Sequence, residues 1–368
     1  MIRIASFNLE NLFTRPTAMN GATDAEGRQA IEDHATANAI VDKAVYTDDD
    51  KAKLIELSNK YKWHVLNPPR TALVQLQKIR GKLFRKPQNG DLEVVADGRE
   101  DWTGWFELLR DDINWTATFN TGRVIDAVKP DILITVEVEN RTTLERFNEQ
   151  VLKAKFGFSY PHVMVIDGND TRGIDVGILS NAPIVEIRSH VDDMIGSEKV
   201  FSRDCPEYDV ILSGGERIVI LPNHLKSKRN GNDQASQEKR KAQAERAHNV
   251  ALLALDRSPF VLLAGDFNDT PDSIALASLF NDGFVDISDH PDYPGVPMDR
   301  PGTFGTALAG NKIDYLLMSP ALRTKLITTG VERRGSYHPG IWTPFDTVTK
   351  TSEEASDHQL IWANFDLL

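Results

Sequence analysis

The sequence predicts an α+β fold in which two packed sheets are flanked by helices, with a helical insertion after the first strand. Three observations carry this. Many short apolar runs are interleaved with few helical patterns, unlike the regular strand–helix alternation of a doubly wound parallel sheet. Residues 15–115 are the part poorest in strand patterns. No repeat, coiled coil or low-complexity tract interrupts the 368 residues, so 1–368 reads as one domain carrying 15–115 as a mainly helical insertion.

Composition narrows the class. Hydrophobic content of 40% and charged content of 26% belong to a globular protein. A net charge of −12 gives no global positive field for a nucleic-acid coat protein, but does not exclude an enzyme whose bound cations supply local charge. Cys205 is the single cysteine, which excludes a disulfide framework and a cysteine zinc site. No apolar window approaches the roughly 18 residues of a membrane span. The opening Met1-Ile2-Arg3-Ile4 enters a strand pattern without a basic or apolar leader, so a cytoplasmic location is expected. No obligate protein partner is evident.

In chain order, residues 2–9 form the opening strand, ending at Asn8-Leu9-Glu10-Asn11. Residues 14–35 are polar, contain Gly and Pro, and read as loop. Thr47 before three aspartates predicts an N-cap for a helix from Asp48 to about Lys62. Leu73, Leu76, Ile79 and Leu83 predict a second helix, and Asp91–Ala96 a short strand or hairpin arm. Trp102, Trp105, Phe106 and Leu109 imply a third helical or turn segment. Helical spacing over 116–128 stops before Pro130. Asp131–Val138 is an apolar strand meeting Glu137, followed by a helix over 142–155. Strands are expected at 163–166 and 175–179, with 185–190 continuing that sheet, then a hairpin of 208–212 and 217–221 around Gly214-Gly215. A basic loop and a long helix over about 233–255 lead to Val261-Leu262-Leu263-Ala264-Gly265-Asp266-Phe267-Asn268-Asp269. A short helix over 273–280, a Pro/Gly-rich loop, and strands at 312–318 and 357–365 complete the chain.

The chemistry collects at strand ends. Asn8/Glu10, Glu137, Asn223/His224, Asp266/Asn268, Asp314 and Asp357/His358 each follow or close an apolar run. Residues two apart in extended chain share a side, so Asp266 and Asn268 emerge together. Each has an ordinary alternative as a turn cap, a local ion pair or a satisfied histidine. Six such ends in one chain are poorly explained as coincidence, because rigid strands are where binding groups are positioned. Carboxylates, carboxamides and imidazoles without cysteine suit a hard cation, Mg²⁺ or Mn²⁺, beside a phosphoester.

These segments together resemble the endonuclease/exonuclease/phosphatase superfamily, the fold of pancreatic-type deoxyribonuclease and abasic-site endonucleases. The resemblance runs through Asn8-Leu9-Glu10, Glu137-Val138-Glu139-Asn140, Asn223-His224, Gly265-Asp266-Phe267-Asn268-Asp269, Ile313-Asp314-Tyr315 and Ser356-Asp357-His358. It spans nearly the whole chain apart from the insertion. It implies a four-layer αββα sandwich of two mixed sheets and metal-dependent phosphoester hydrolysis. By resemblance, Glu137 is the principal metal ligand, helped by Glu10 and Asp357, and Asn8 supports them on the substrate side. Asp266 aligns or deprotonates water, Asn268 steadies water or phosphate, and His358, oriented by Asp314, faces the scissile phosphate with His224 as a second imidazole. Arg203, in Phe201-Ser202-Arg203-Asp204, is similar to a phosphate-binding arginine, with an ion pair as the alternative. Arg172 and Asp175 fall where the family places polar partners for substrate. Many members carry Gln where this chain has Val136.

The expected activity is that of a nuclease or other phosphodiesterase, with a phosphoester, nucleic acid in particular, as partner. A small-molecule phosphatase of the sugar or inositol phosphate type is the rival, and a non-catalytic binding module a third reading. Lys226 and Lys228 are open between phosphate contact and solvated loop. Trp63, Trp102, Trp105 and Trp115 are open between base stacking and packing the insertion's own core.

Overall fold

Short strands buried on both faces build the main body of the protein, here in a computed structural model describing residues 1–12, 24–65, 73–88, 90–109, 115–170, 173–228 and 233–367. The chain divides into two compact units, Met1–Phe13 with Ile113–Leu368, and Thr14–Asp112. In chain order the strands of the first unit's large sheets are β1 (Ile2–Leu12), β2 (Ile132–Val138), β3 (His162–Ile166), β4 (Asp175–Ser180), β5 (Ile184–Arg188) and β6 (Glu207–Ile211). They continue with β7 (Arg217–His224), β8 (Phe260–Asp266), β9 (Val285–Asp286), β10 (Asp314–Met318), β11 (Leu326–Glu332) and β12 (Leu360–Phe365).

Among the described residues these form two six-stranded sheets, ordered β11-β12-β1-β2-β4-β3 and β9-β10-β8-β7-β6-β5. Each is mixed in the same way. One central pair is parallel, β1 with β2 (Asn8 opposite Val136) and β7 with β8 (His224 opposite Asp266), and the other pairs are antiparallel. A two-residue period then separates the faces. Ile4, Ile134, Ile178 and Ile361 of one sheet pack against Ile220, Leu262 and Leu316 of the other. Their neighbours point outward. Ala5, Phe7 and Leu133 meet Val124, Ile125 and Leu144, while Leu221, Val261 and Leu263 meet Ala247 and Ala251. Helix–sheet–sheet–helix layering follows, and each fully buried Leu or Ile contributes about 1.5–3 kcal/mol.

The helices start where their caps lie. Helix α1 (Trp115–Val128) stops two residues before Pro130. Helix α2 (Arg141–Phe147) begins at Asn140, whose side chain accepts the Thr143 N–H at 2.9 Å, and runs on through a π turn at Asn148–Lys153. Helix α3 (Gln234–Ala254) begins at Asp233, which accepts the Ser236 N–H at 2.7 Å. Among the described residues no helix is long and apolar enough to cross a membrane.

Several local expectations are corrected. Strand β11 has no clear strand pattern in the sequence, because its leading Leu-Ile-Thr-Thr-Gly run carries few apolar residues, and pairing with β12 completes it. Residues 184–188 do not extend the sheet of β3 and β4. They cross to the edge of the second sheet, Ile187 opposite Tyr208. Of 273–280 only Ala277–Phe280 is helical, as a 3₁₀ turn.

The second unit mixes helix and strand. Helix Asp48–Tyr61 has the expected cap, with Thr47 and Asp50 exchanging side-chain and backbone hydrogen bonds as a capping box. Helix Asp24–Val41 occupies much of the stretch expected to be loop, because Ala30, Ala37 and Val41 give it a small buried face. The expected second helix is instead strand Val74–Arg80, and the Trp102–Leu109 segment is strand Thr103–Leu108 paired antiparallel to it. The spacing of Leu73, Leu76, Ile79 and Leu83 misled, since Ile79 is 69% exposed and carries no helical core face. Trp63 and Trp102 are buried in this unit's core beside Phe106, settling both as packing residues.

Candidate active site

The two parallel pairs end side by side, and their last residues converge. Gly265 makes the approach possible. It has φ +131°, and a Cβ there would lie 2.0 Å from the Asn223 carbonyl oxygen on the neighbouring strand. Asp266 and His224 can therefore leave β8 and β7 as a register pair, with His224 Nε2 3.8 Å from Asp266 Oδ2. Asn268 follows with φ +55°. Its N–H donates to Asp266 Oδ1 at 2.8 Å and its amide to the Leu225 carbonyl at 3.2 Å.

On the other sheet a bulge re-aims Glu137. Its neighbours Val136 and Val138 stay buried and paired with β1 and β4 on either side of a register shift, while Glu137 sits at φ +61°. Its carboxylate lies 4.0 Å from His224 Nε2. Glu10 takes a similar conformation, φ +26°. A left-handed backbone costs a residue with a side chain about 1–2 kcal/mol, and such strain gathers at functional positions. Glu10 Oε2 accepts the Asp357 N–H at 2.7 Å, and the Glu10 N–H donates to Asn8 Oδ1 at 3.1 Å.

Asn8 joins the halves. Its amide nitrogen lies 3.2 Å from Asp266 Oδ2 and 3.4 Å from His358 Nε2. His358 Nδ1 meets Asp314 Oδ2 at 2.9 Å, and Thr303 Oγ1 donates to the same oxygen at 2.6 Å. Ser356 Oγ accepts the His358 N–H at 3.0 Å and donates to the Asn8 carbonyl at 2.7 Å. Burial alone would lower the His358 pKa, but Asp314, Asp266 and Asp357 outweigh it and hold the ring well above its ordinary value. Burial pushes Asp266 upward, reinforced by Asp314 and Glu137 and opposed by His358. Asp357 also moves upward through desolvation and repulsion from Glu10 and Glu137. Its side chain keeps 44% of its exposure, so the repulsion carries more weight than burial.

The structure thus brings together Asn8, Glu10, Glu137, His224, Asp266, Asn268, Asp314, Asp357 and His358. Arg203 and Asp175 belong to an adjoining cluster. Buried Arg203 pairs with Asp170 at 2.9 Å, and Asp175 Oδ1 accepts the Gly168 N–H at 2.8 Å. Burial and the neighbouring Asp167 and Asp170 push Asp175 up to about 7. Asp175 stands opposite Val138, one residue past Glu137. Arg172 lies outside the described residues. Lys228 pairs with Asp269, and Asn223 turns its amide back to the Leu221 carbonyl at 3.0 Å.

Three contributors, Thr303, Arg240 and Gln243, carry no motif signal in the sequence, and Ser356 stands there only as part of the Ser356-Asp357-His358 motif. Thr303 and Ser356 set Asp314 and His358 from loops with no strand pattern. Arg240 and Gln243 of α3 hold the Lys226 backbone, Arg240 Nε to the carbonyl and the N–H to Gln243 Oε1, each at 2.8 Å. Arg240 also pairs with Asp269 at 3.2 Å. Only the 3–4 spacing along α3 hinted that both share its inner face.

Ligand-type atoms of Asp266, Asp314 and His358 lie within 4.8 Å of one another, a spacing compatible with a divalent metal site. Glu10, Glu137 and Asp357 form a second carboxylate group, and among the described residues no lysine or arginine pairs with any of them.

The sequence model of the Endonuclease/Exonuclease/phosphatase family matches residues 117–358. No curated protein sequence matches the chain. Similar solved structures include truncated TDP2 from Caenorhabditis elegans (18% identity, TM-score 0.47, covering 68% of this chain and 90% of that one). A mannosyl-6-phosphatase from Bacteroides thetaiotaomicron is similar at 16% identity, TM-score 0.48, covering 68% and 91%. The human Nocturnin catalytic domain with bound sulfate is similar at 16% identity, TM-score 0.47, covering 69% and 87%. With 117–358 lying on the sheets and strand ends described above, the chain belongs to the endonuclease/exonuclease/phosphatase family.

Proposed function

We propose that this protein is a divalent-metal-dependent phosphoester hydrolase acting as a nuclease or other phosphodiesterase. One observation carries the reading. An imidazole held by a carboxylate on Nδ1 turns Nε2 toward a second buried carboxylate, Asp266, at 3.8 Å, beside unneutralised acidic groups. Hydrolysis of a phosphoester needs these parts, a group to align water and cationic donors for phosphate oxygens.

The residues fit a hard cation. Repulsion among Glu10, Glu137 and Asp357 is what Mg²⁺ or Mn²⁺ relieves, and carboxylate oxygen is their preferred donor. We assign the cation to these three in preference to Asp266, Asp314 and His358, because Asp314 already serves His358 and Thr303. When bound, the cation supplies Lewis-acid polarisation of a phosphate oxygen. Asp266 orients the attacking water and takes its proton, steadied by Asn8 and the Asn268 N–H. Asn268 keeps the Asp266 loop in place. His358 and His224 donate to phosphate oxygens, and Asp314 fixes the His358 ring. Arg203 and Asp175, in the cluster adjoining Glu137, are assigned to substrate contact, as is Arg172 by the resemblance alone.

The experiment is a substrate comparison with Mn²⁺ or Mg²⁺, setting labelled DNA and RNA oligonucleotides against sugar monophosphates. The proposal expects internal or terminal cleavage of an oligonucleotide, lost on chelation. Turnover confined to monophosphates would replace it with the phosphatase reading, and no turnover of either kind would refute hydrolysis.

A further inference from the structure

The basic ribbon of the second unit answers to a different chemistry from the acidic pocket. Residues 78–86 carry Lys78, Arg80, Lys82, Arg85 and Lys86, all exposed, in a chain of net charge −12. Arg85 is engaged by Glu93 at 2.6 Å. Lys78, Arg80, Lys82 and Lys86 meet no carboxylate among the described residues. Lys86 and Lys62 are close enough to add to the burial that lowers His64, so positive potential gathers there.

An exposed aromatic shares a face with one of these cations, Arg80. Trp105 stands opposite Gln77 in the antiparallel pair, and Arg80 stands opposite Thr103, two residues from Trp105 and therefore on its face. Register shifts between Lys78 and Arg80, leaving Ile79 as the extra residue of a bulge. Trp105 is 44% and Ile79 69% exposed, whereas Trp63 and Trp102 fill the unit's core. A tryptophan held on a strand pair costs little entropy to present, and its exposed face is apolar.

We infer that this ribbon binds single-stranded nucleic acid, its cations along the phosphates and Trp105 against an unstacked base. Charge complementarity selects a polyanion, and the aromatic selects one with exposed bases over a lipid surface. The inference names the substrate class of the proposed hydrolysis and in that respect rests on that reading. Binding itself is measured without turnover.

The test uses the full chain in chelator, with anisotropy of a fluorescein-labelled single-stranded oligonucleotide. Four contacted phosphates predict an affinity falling up to about 50-fold between roughly 50 and 200 mM salt. Lys78→Glu/Arg80→Glu/Lys82→Glu should abolish the signal, and Trp105→Ala should weaken it about 5-fold or more. Circular dichroism verifies folding, and Lys78→Gln/Arg80→Gln serves as the milder variant. Hydrolysis of bis(p-nitrophenyl) phosphate should be unchanged in all of these. Wild-type binding by the folded variants, or binding to phosphatidylserine vesicles in place of the oligonucleotide, would overturn the inference. Loss of ester hydrolysis in the wild type with binding intact would instead remove the catalytic reading.

Discussion

Asp314 Oδ2 meets His358 Nδ1 at 2.9 Å, while Nε2 of the same ring lies 3.8 Å from Asp266 Oδ2. A carboxylate on Nδ1 selects the tautomer and the rotation of the ring, so Nε2 is presented to the pocket. Thr303 restrains Asp314 from behind.

Replacing that carboxylate should cost chemistry more than stability. Asp314→Asn keeps the shape but lets the amide flip, so kcat should fall about 10²–10⁴-fold with KM little changed. The same loss should follow His358→Ala, and the double variant should lose little more, since the two act as a unit. Steady-state kinetics of the three variants checks this, and additive losses would separate the pair.

Gly265 is held by both space and conformation. Gly265→Ala should destabilise by about 3 kcal/mol or more, combining a left-handed strain of about 1–2 kcal/mol with the overlap on the Asn223 carbonyl. Gly173 has φ +65°, and a methyl group there would meet nothing within 4 Å, so Gly173→Ala should cost only about 1 kcal/mol. Urea denaturation of both variants measures the contrast.

The Arg240–Asp269 pair ties helix α3 to the segment that follows β8, with Arg240 fully buried. Arg240→Met should cost about 3 kcal/mol, because it strands a buried carboxylate that Lys228 still partly pairs. Burial would raise Asp269, but hydrogen bonds from Lys228, Ser273 and the Thr270 N–H hold it below its ordinary value. A depressed carboxyl contributes stability that is whole above the unfolded pKa and is lost as pH falls through the folded one. Asp269→Asn should therefore flatten the loss of stability below about pH 4, read from denaturation midpoints across the acid range.

Metal binding should follow the bulged glutamate. Mn²⁺ titration calorimetry should show the wild type binding and Glu137→Ala at least about 10-fold weaker. Asp314→Asn should bind normally, which separates the assigned carboxylates from the Asp266–Asp314–His358 group.

Much of this was legible beforehand. Alternation along residues 2–9 predicts β1, and short apolar runs bounded by Glu137, Asp266 and Asp314 predict β2, β8 and β10, because such stretches are too short for a helix. Strand ends marked Glu10, Glu137, Asp266, Asp314 and His358 as candidates, and the family resemblance is what implies that they share one site. Strand Val74–Arg80 was not legible, since the 3–3–4 spacing of its apolar residues matches the helical period and the burial of Leu76 comes from its cross-strand partner Phe106. Thr303 and Arg240 act through contacts between distant segments, which no local pattern encodes.

The most direct test of the central claim is the rate of bis(p-nitrophenyl) phosphate hydrolysis with Mn²⁺, for wild type, Asp266→Asn and His358→Ala. The expected result is wild-type turnover that chelator abolishes and a loss of about 10²–10⁴-fold in each folded variant. Wild-type rates in either folded variant, or turnover indifferent to chelator, would contradict it.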